Sequence, residues 1–454
     1  MKRNRITMLS LALAGLAAAA QPAQATDGYF SHGYGMKSLG MGGAGVALAQ
    51  EPYGGAINPG AMTFLDGNMW EVGVTWFNPQ RSASRSGSDP YGLDGSSTSG
   101  SENFFIPEFA VNWRYSPTVS FGVSVYGNGG MNTDYGGGEV SAASACAGFN
   151  PNPGPYNLLC GNGRLGVDLT QLMIAPYVSW QFTPGHSVGI APIITYQRFK
   201  AEGLQAFDNP MLWTSPGNVT NNGYDDAWGV GVRVGYMGKI NQYLAVGVAY
   251  ASKVDMGSFD KYKGLFAESG GFDIPSSFVV GATLTPDDRW TIALDFERIF
   301  YDDAPSVSNR SALIYNCFGG QSSNCLGGSN GAGFGWQNVD VWKLGVQYRL
   351  NDAWTLRAGY NHSDNPIESQ DVTFNILAPG VMQSHYTLGA TWKIDRMSEL
   401  TGAFMYAPRE EVTGASLLNG FVNGQLPPGA PPMNASETIS MRQYELGIAY
   451  QRRF

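Results

Sequence analysis

Trp342-Lys343-Leu344-Gly345-Val346-Gln347-Tyr348-Arg349-Leu350, followed at once by the turn formers Asn351-Asp352, is the stretch that decides the fold. Successive side chains of a strand point to opposite faces. Trp342, Leu344, Val346, Tyr348 and Leu350 therefore share an apolar face, and Lys343, Gly345, Gln347 and Arg349 a polar or small one. The segment before it repeats the pattern, with Trp290, Ile292, Leu294 and Phe296 opposite Thr291, Ala293, Asp295 and Glu297. The C-terminal segment does so again, with Tyr444, Leu446, Ile448, Tyr450 and Phe454 opposite Gln443, Glu445, Gly447, Ala449 and Gln451. A soluble β-protein would keep polar side chains outside and an apolar core inside. A continuous apolar face with aromatics at its ends fits lipid contact and interfacial girdles instead.

Working outward, fourteen alternating segments are expected, at 69–78, 104–116, 118–128, 168–183, 186–201, 224–238, 243–256, 274–286, 289–302, 336–350, 353–364, 381–394, 397–409 and 438–454. Short turns such as Ser116-Pro117-Thr118 and Thr183-Pro184-Gly185-His186 alternate with long Gly/Ser/Asn/Pro-rich connections at 79–103, 129–167, 202–223, 257–273, 303–335, 365–380 and 410–437. Outer-membrane barrels have an even number of antiparallel strands, short periplasmic turns and long outer loops. The sequence thus predicts an all-β, 14-stranded antiparallel transmembrane β-barrel spanning residues 68–454.

The rest of the chain agrees with export. Lys2, Arg3 and Arg5 precede the apolar run Met8–Ala20, and Ala23-Gln24-Ala25 is a small-residue cleavage site. Residues 1–25 read as a signal peptide, with the mature chain beginning at Thr26. No later stretch of about 20 apolar residues offers a membrane helix. The net charge of −9 argues against nucleic acid as a partner. The four cysteines fall as local pairs inside two long loops, and in an exported protein they are expected as disulfides Cys146–Cys160 and Cys317–Cys325. A metal site is the alternative, but no histidine lies near either pair.

A barrel of this width lies between small ones filled by side chains and large ones holding an aqueous channel. Residues 26–67 are the expected N-terminal plug (hatch) in the lumen: they precede the first strand, lack its alternation, and are rich in Gly and Ala. The cluster Gly40-Met41-Gly42-Gly43-Ala44-Gly45 does not fit a dinucleotide loop, which needs a strand before and a helix after. Glycine here suits close backbone packing.

With Asn58-Pro59-Gly60 ending this segment, and Gly130-Met131-Asn132-Thr133-Asp134-Tyr135 after the third strand, the mature chain resembles the FadL/TodX family of outer-membrane hydrophobic-compound transporters. The family pattern ends its plug in Asn-Pro-Ala, so Gly60 is a departure. The resemblance implies plug or gating roles for Gly42, Gly43, Asn58 and Pro59. It also implies an inward kink in the third strand through which a hydrophobic ligand, caught by the outer loops, leaves sideways into the membrane. Gly127-Asn128-Gly129-Gly130, where alternation fails, is the expected lateral opening; the other reading is the start of the following loop. Pro176 and Pro192 should lie near each other across one hairpin, as a bulge or as a second distortion of the wall.

The ligand is expected to be a long-chain fatty acid or similar hydrophobic small molecule, with a neutral aromatic or aliphatic hydrocarbon as the alternative. Arg198 and Lys200 are the candidate carboxylate partners, and Phe207, Trp213, Phe266 and Phe334 the candidate lining of a capture groove. Nothing in the sequence asks for a cofactor or a metal, and the expected state is a monomer in contact with outer-membrane lipid. An adhesin has no need of Asn58-Pro59. A barrel hydrolase would have to use His362 or His385 with Ser363, Asp364 or Ser384, whose geometry the sequence does not fix.

Overall fold

The structure, a computed structural model, describes residues 26–208 and 214–454. Residues 1–25, expected as a signal peptide, and Trp213 lie outside the described residues. Fourteen long strands form one antiparallel sheet: β1 (Met69–Ser86), β2 (Phe104–Ser116), β3 (Val119–Asn132), β4 (Gly166–Thr183), β5 (His186–Glu202), β6 (Asp225–Lys239), β7 (Leu244–Ala251), β8 (Ser276–Leu284), β9 (Trp290–Phe300), β10 (Val339–Arg349), β11 (Trp354–Ser363), β12 (Ser384–Lys393), β13 (Ser398–Ala415) and β14 (Ser436–Arg453). Each pairs with its sequence neighbour, and β14 closes the barrel on β1 along all 18 residues of β1, from Met69↔Arg453 to Ser86↔Ser436. Two short strands, Gly95–Thr98 on β1 and Asp255–Met256 on β6, extend the sheet in the long loops. No described helix is long and apolar enough to cross a membrane. In lipid every backbone group must be satisfied internally, and a closed barrel does this with strands.

The two faces are inverted relative to a soluble protein. Trp342 is 52% exposed beside Lys343 at 5%, and Leu446 is 55% exposed beside Glu445 at 3%. Aromatic pairs ring the outside at two heights. Trp290–Tyr348, Trp354–Trp392 and Trp70–Tyr450 stand near the short turns, and Phe296–Trp342, Tyr360–Tyr386 and Tyr406–Tyr444 nearer the long loops. On β9 the two girdles are six residues apart, roughly 20 Å along the strand.

The ends of β1, β7 and β13 depart from expectation. β1 runs to Ser86 rather than 78 and β13 to Ala415 rather than 409, because their outer ends keep pairing with β14 above the apolar band. There Arg85 bonds Glu437 (Nε–Oε1 2.8 Å), with both side chains buried under the loops. β7 stops at Ala251 rather than 256. The outer loops pack into one cap: Phe421 in the short helix Leu418–Asn423 meets Phe149, Phe207, Tyr315 and Phe318, at centroid distances of 5.4–6.2 Å. Disulfides link Cys146 to Cys160 and Cys317 to Cys325 within this cap.

Candidate functional site

The segment from Thr26 to Gly67 threads the barrel interior as short helices, Met36–Leu39, Gly54–Ile57 and the 3-10 turn Pro59–Phe64, and it touches the wall on all sides. Asp295 of β9 accepts from the Gly45 and Val46 amides at 2.7 and 2.9 Å. Lys343 of β10 donates to the His32 carbonyl at 3.0 Å and to Glu297 at 2.7 Å. Lys37 pairs with Glu399 of β13 and donates to Gln451 of β14 at 3.2 Å. Burial first, and the Lys343 charge second, push the His32 imidazole down to about 3, so it is neutral where it stacks on His385.

Asn58 locks the end of this segment. Its amide donates to the Val46 and Tyr236 carbonyls at 2.7 and 2.9 Å, and its side-chain oxygen accepts from the Gly60 amide at 2.9 Å. The glycine that departs from the family pattern has a physical reason: a Cβ on Gly60 would fall 2.6 Å from the Gly235 carbonyl oxygen of β6. Gly42 holds a positive φ of 66° with its amide on Thr387 at 2.8 Å, against the backbone of Tyr360. Gly43 likewise has φ 82°, pressed onto the His32 carbonyl. Asn58→Ala strands two carbonyls and one amide, a cost of about 2–3 kcal/mol. It is expected to speed hydrogen exchange of amides 46–60 while the barrel amides stay protected, read by exchange mass spectrometry.

The wall itself is incomplete. β2 pairs with β1 through Phe104↔Phe77, but with β3 only from Ser116↔Val119 to Phe109↔Val125. Phe104–Glu108 and Tyr126–Asn132 therefore face each other unpaired. β3 does not end at 128 as expected; it stays on β4 to Asn132↔Asp168, with a register shift between Gly127 and Gly129. Its freed edge turns to the N-terminal segment: the Asn128 carbonyl accepts from the Ser31 amide at 3.0 Å, and Gly129 bridges Phe30. Asn128 also accepts from Tyr34 at 2.9 Å and donates to Gln171 at 3.0 Å. Every residue from Ser124 to Asn132 is buried, where a lipid-facing strand would alternate.

Pro176 and Pro192 fall opposite each other, between the pairs Ile174↔Ile194 and Val178↔Ile190, and the β4–β5 ladder is interrupted there. The rest of the wall around them holds, since Pro176 still opposes Val123 and Pro192 opposes Val232.

Above the gap the loops surround an apolar pocket lined by Phe207, Phe266 and Phe334. Val167, Phe199, Leu204, Phe374 and Leu377 complete much of its lining, and its one hydroxyl, Ser306, is spent on the Gly271 carbonyl. Arg198 and Lys200 are not part of it. They share the outward parity of Ile190 and Ile194, and the Arg198 guanidinium lies 3.4 Å from the centre of the Tyr224 ring outside the barrel. Lys200 pairs with Glu202. The histidine set is likewise divided: His362 meets Ser384 at 3.3 Å on the lipid side, whereas His385 and Ser363 point inward and Asp364 caps the Asp340 amide. Among the described residues, no group of three or more His, Cys, Asp or Glu could hold a metal ion.

Residues 157–419 match the model of the family described as outer membrane protein transport protein (OMPP1/FadL/TodX). The chain belongs to this family. Its fold is similar to that of the toluene transporter TodX of Pseudomonas putida, with TM-score 0.65, 18% identity, and 93% of this chain and 99% of that one covered. It is also similar to the toluene transporter TbuX of Ralstonia pickettii, with TM-score 0.60, 16% identity and coverages of 93% and 99%. A FadL homologue of Pseudomonas aeruginosa gives TM-score 0.65, 14% identity and coverages of 94% and 100%. Among curated proteins no sequence match is found. The protein is thus a transport channel of the Gram-negative outer membrane.

The sequence did not point to Lys343, Asp295, Tyr34 or Gln171 as contacts of the N-terminal segment. Lys343 and Asp295 are inward-facing charges on otherwise apolar strands, and that pattern is the signal by which they could have been found.

Proposed function

We propose that this channel takes up small, uncharged hydrophobic compounds. They are held in the loop cavity, pass the N-terminal plug (26–67), and leave sideways through the gap between β2 and β3. The observation that carries the neutral class is the cavity lining, which among the described residues offers apolar side chains and no charged group. A carboxylate buried there unpaired would lose several kcal/mol of hydration with nothing to replace it. The solved structures of similar fold include toluene transporters, and toluene is uncharged, which agrees with this reading. Each barrel carries its own cavity, plug and gap, so it works as a monomer in the lipid.

The test is equilibrium binding to the protein in lipid nanodiscs, with toluene and decanoate as probes. Phe266→Ala and Phe334→Ala are each expected to weaken toluene binding by about tenfold, the loss of one aromatic wall. Tighter binding of decanoate than of toluene would sink the neutral assignment.

A carboxylate-bearing ligand, as in fatty-acid uptake, is the second reading. It rests on Arg233 of β6, which is buried in the lumen, donates only to Tyr126 at 3.4 Å, and has no ion pair among the described residues. Were decanoate the ligand, Arg233→Gln would abolish its binding; toluene binding would be indifferent to that change.

A further inference from the structure

Between the apolar cavity and the gap lies a set of neutral polar side chains whose hydrogen bonds are left open. Gln171 of β4 and Gln197 of β5 oppose each other across the ladder and face inward, and Thr195 is the next inward residue on β5, opposite Met173. All three are fully buried. Among the described residues the Gln197 oxygen and the Thr195 hydroxyl have no partner, and the Gln171 amide nitrogen and the Tyr29 hydroxyl have none beyond a loose approach of their two side chains. The remaining atoms of the two glutamines are used: Gln171 accepts from Asn128 at 3.0 Å, and Gln197 donates to the Phe272 carbonyl at 3.2 Å. The Tyr29 ring packs on Phe272 at 6.2 Å, and Phe272 packs at 4.9 Å on Phe266 of the cavity lining.

The set thus packs against the cavity lining above, through Phe272 and Phe266, and borders the gap beside it, through Asn128 and Gly129, which opposes Gln171. Phe199 of the cavity sits two residues above Gln197 on β5, about 7 Å along the strand. That is the length of a small aromatic ring with one substituent. The groups include a donor, the Gln171 amide, an acceptor, the Gln197 oxygen, and two hydroxyls that can serve as either. Burying such groups unpaired costs about 1–3 kcal/mol each.

We infer that Tyr29, Gln171, Thr195 and Gln197 form a polar neck that selects neutral compounds carrying one hydrogen-bonding group, such as phenols, alcohols or ketones, over bare hydrocarbons. This rests on the neutral-compound reading above and narrows it. The apolar body occupies the cavity while its oxygen meets the neck, and the same groups then pass it toward the gap. A site built to hydrogen-bond a substrate discriminates against the analogue that lacks the group, because its own polar atoms are then left open.

The experiment measures the affinity of the mature protein in nanodiscs for p-cresol, toluene and p-toluate. An entirely apolar site would prefer toluene, since the phenol hydroxyl gives up its water on entry. The neck is expected to reverse that order, with p-cresol about fivefold tighter, the yield of one net hydrogen bond. Tyr29→Phe with Thr195→Val removes two hydroxyls, one without a partner and one only loosely approached by Gln171, so the barrel should melt nearly as before. In that variant the order is expected to return to toluene over p-cresol. Toluene tighter in the unaltered protein, or an order that the double variant leaves alone, means the neck holds buried water only, and overturns the inference while the neutral-compound reading stands. If p-toluate binds tightest, or none of the three binds, the neutral-compound reading itself fails and this inference with it.

Discussion

A mature chain lacking residues 26–60 is expected to conduct ions across planar bilayers in discrete steps, where the intact protein stays closed. The barrel does not need the segment to close, since β14 pairs with β1 along its full length and the girdles hold the outside. What the segment does is fill. Asp295, Lys343, Thr387 and Tyr236 bond to it from four strands, and without it these groups face an open lumen. That lumen would wet readily. Along the β14–β1–β2 wall, Glu71 has neither carboxylate oxygen bonded, and Glu108 and Glu445 each leave one oxygen unpaired, all buried. Water is the natural partner of such groups. A fourteen-strand cylinder emptied of its contents approaches the size at which barrels carry an aqueous channel. The variant must first be shown to assemble, by its shifted mobility in unheated gels; an assembled barrel that stays closed would refute the plug.

What the sequence made legible depended on periodicity. Trp342 and Lys343 fall on the faces their alternation demands, and Asn58-Pro59 seats against the wall as a motif of that kind should. The outer end of β1 was hidden because Gln80, Arg81, Ser82 and Ser84 stand above the lipid, where neither face needs to be apolar. Arg198 was readable and misread: it has the parity of Ile190 and Ile194, hence of the lipid face, and charge alone suggested a ligand contact. The glycine run of β3 announced an irregularity but not its side. Only the pairing shows that β3 leaves β2 while keeping β4, and that Asn128 turns to Ser31 and Tyr34. The neck is illegible for a different reason. Gln171, Gln197 and Tyr29 are ordinary polar residues, and nothing in their spacing says that their remaining hydrogen bonds go unmet.

Closing the wall should abolish uptake while leaving in place the plug's anchors on β6, β9, β10 and β12. Gly129→Val with Gly130→Val disfavours the bulge and drives β3 toward a regular extended strand. Released from Ser31 and Phe30, the edge at Tyr126–Asn132 then has an obvious partner in Phe104–Glu108, which does not pair with β3. In lipid the pairing is strongly favoured, since each backbone hydrogen bond in an apolar medium is worth about 4–6 kcal/mol. Reopening even one such bond for each passage would slow transport by more than about a hundredfold, because about 1.4 kcal/mol is tenfold in rate. Uptake of a radiolabelled neutral hydrocarbon by cells carrying the variant is therefore expected to fall to background. Binding to the purified protein should persist, because the cavity lies in the loops above. The two readouts separate the steps: loss of binding would mean that the loop cap had been deformed. Normal uptake through an assembled barrel would mean that the ligand passes beneath the plug to the periplasm. In that event the column of carboxyl groups at Glu71, Glu108 and Glu445, with oxygens left open among the described residues, would be an unfavourable route for a hydrocarbon, since such a ligand offers these polar groups no hydrogen bond. The gap offers Phe105 and Pro107 outside and Met131 and Leu172 beside it, so beyond the polar neck the sideways exit gives an apolar solute apolar contacts on its way to the membrane.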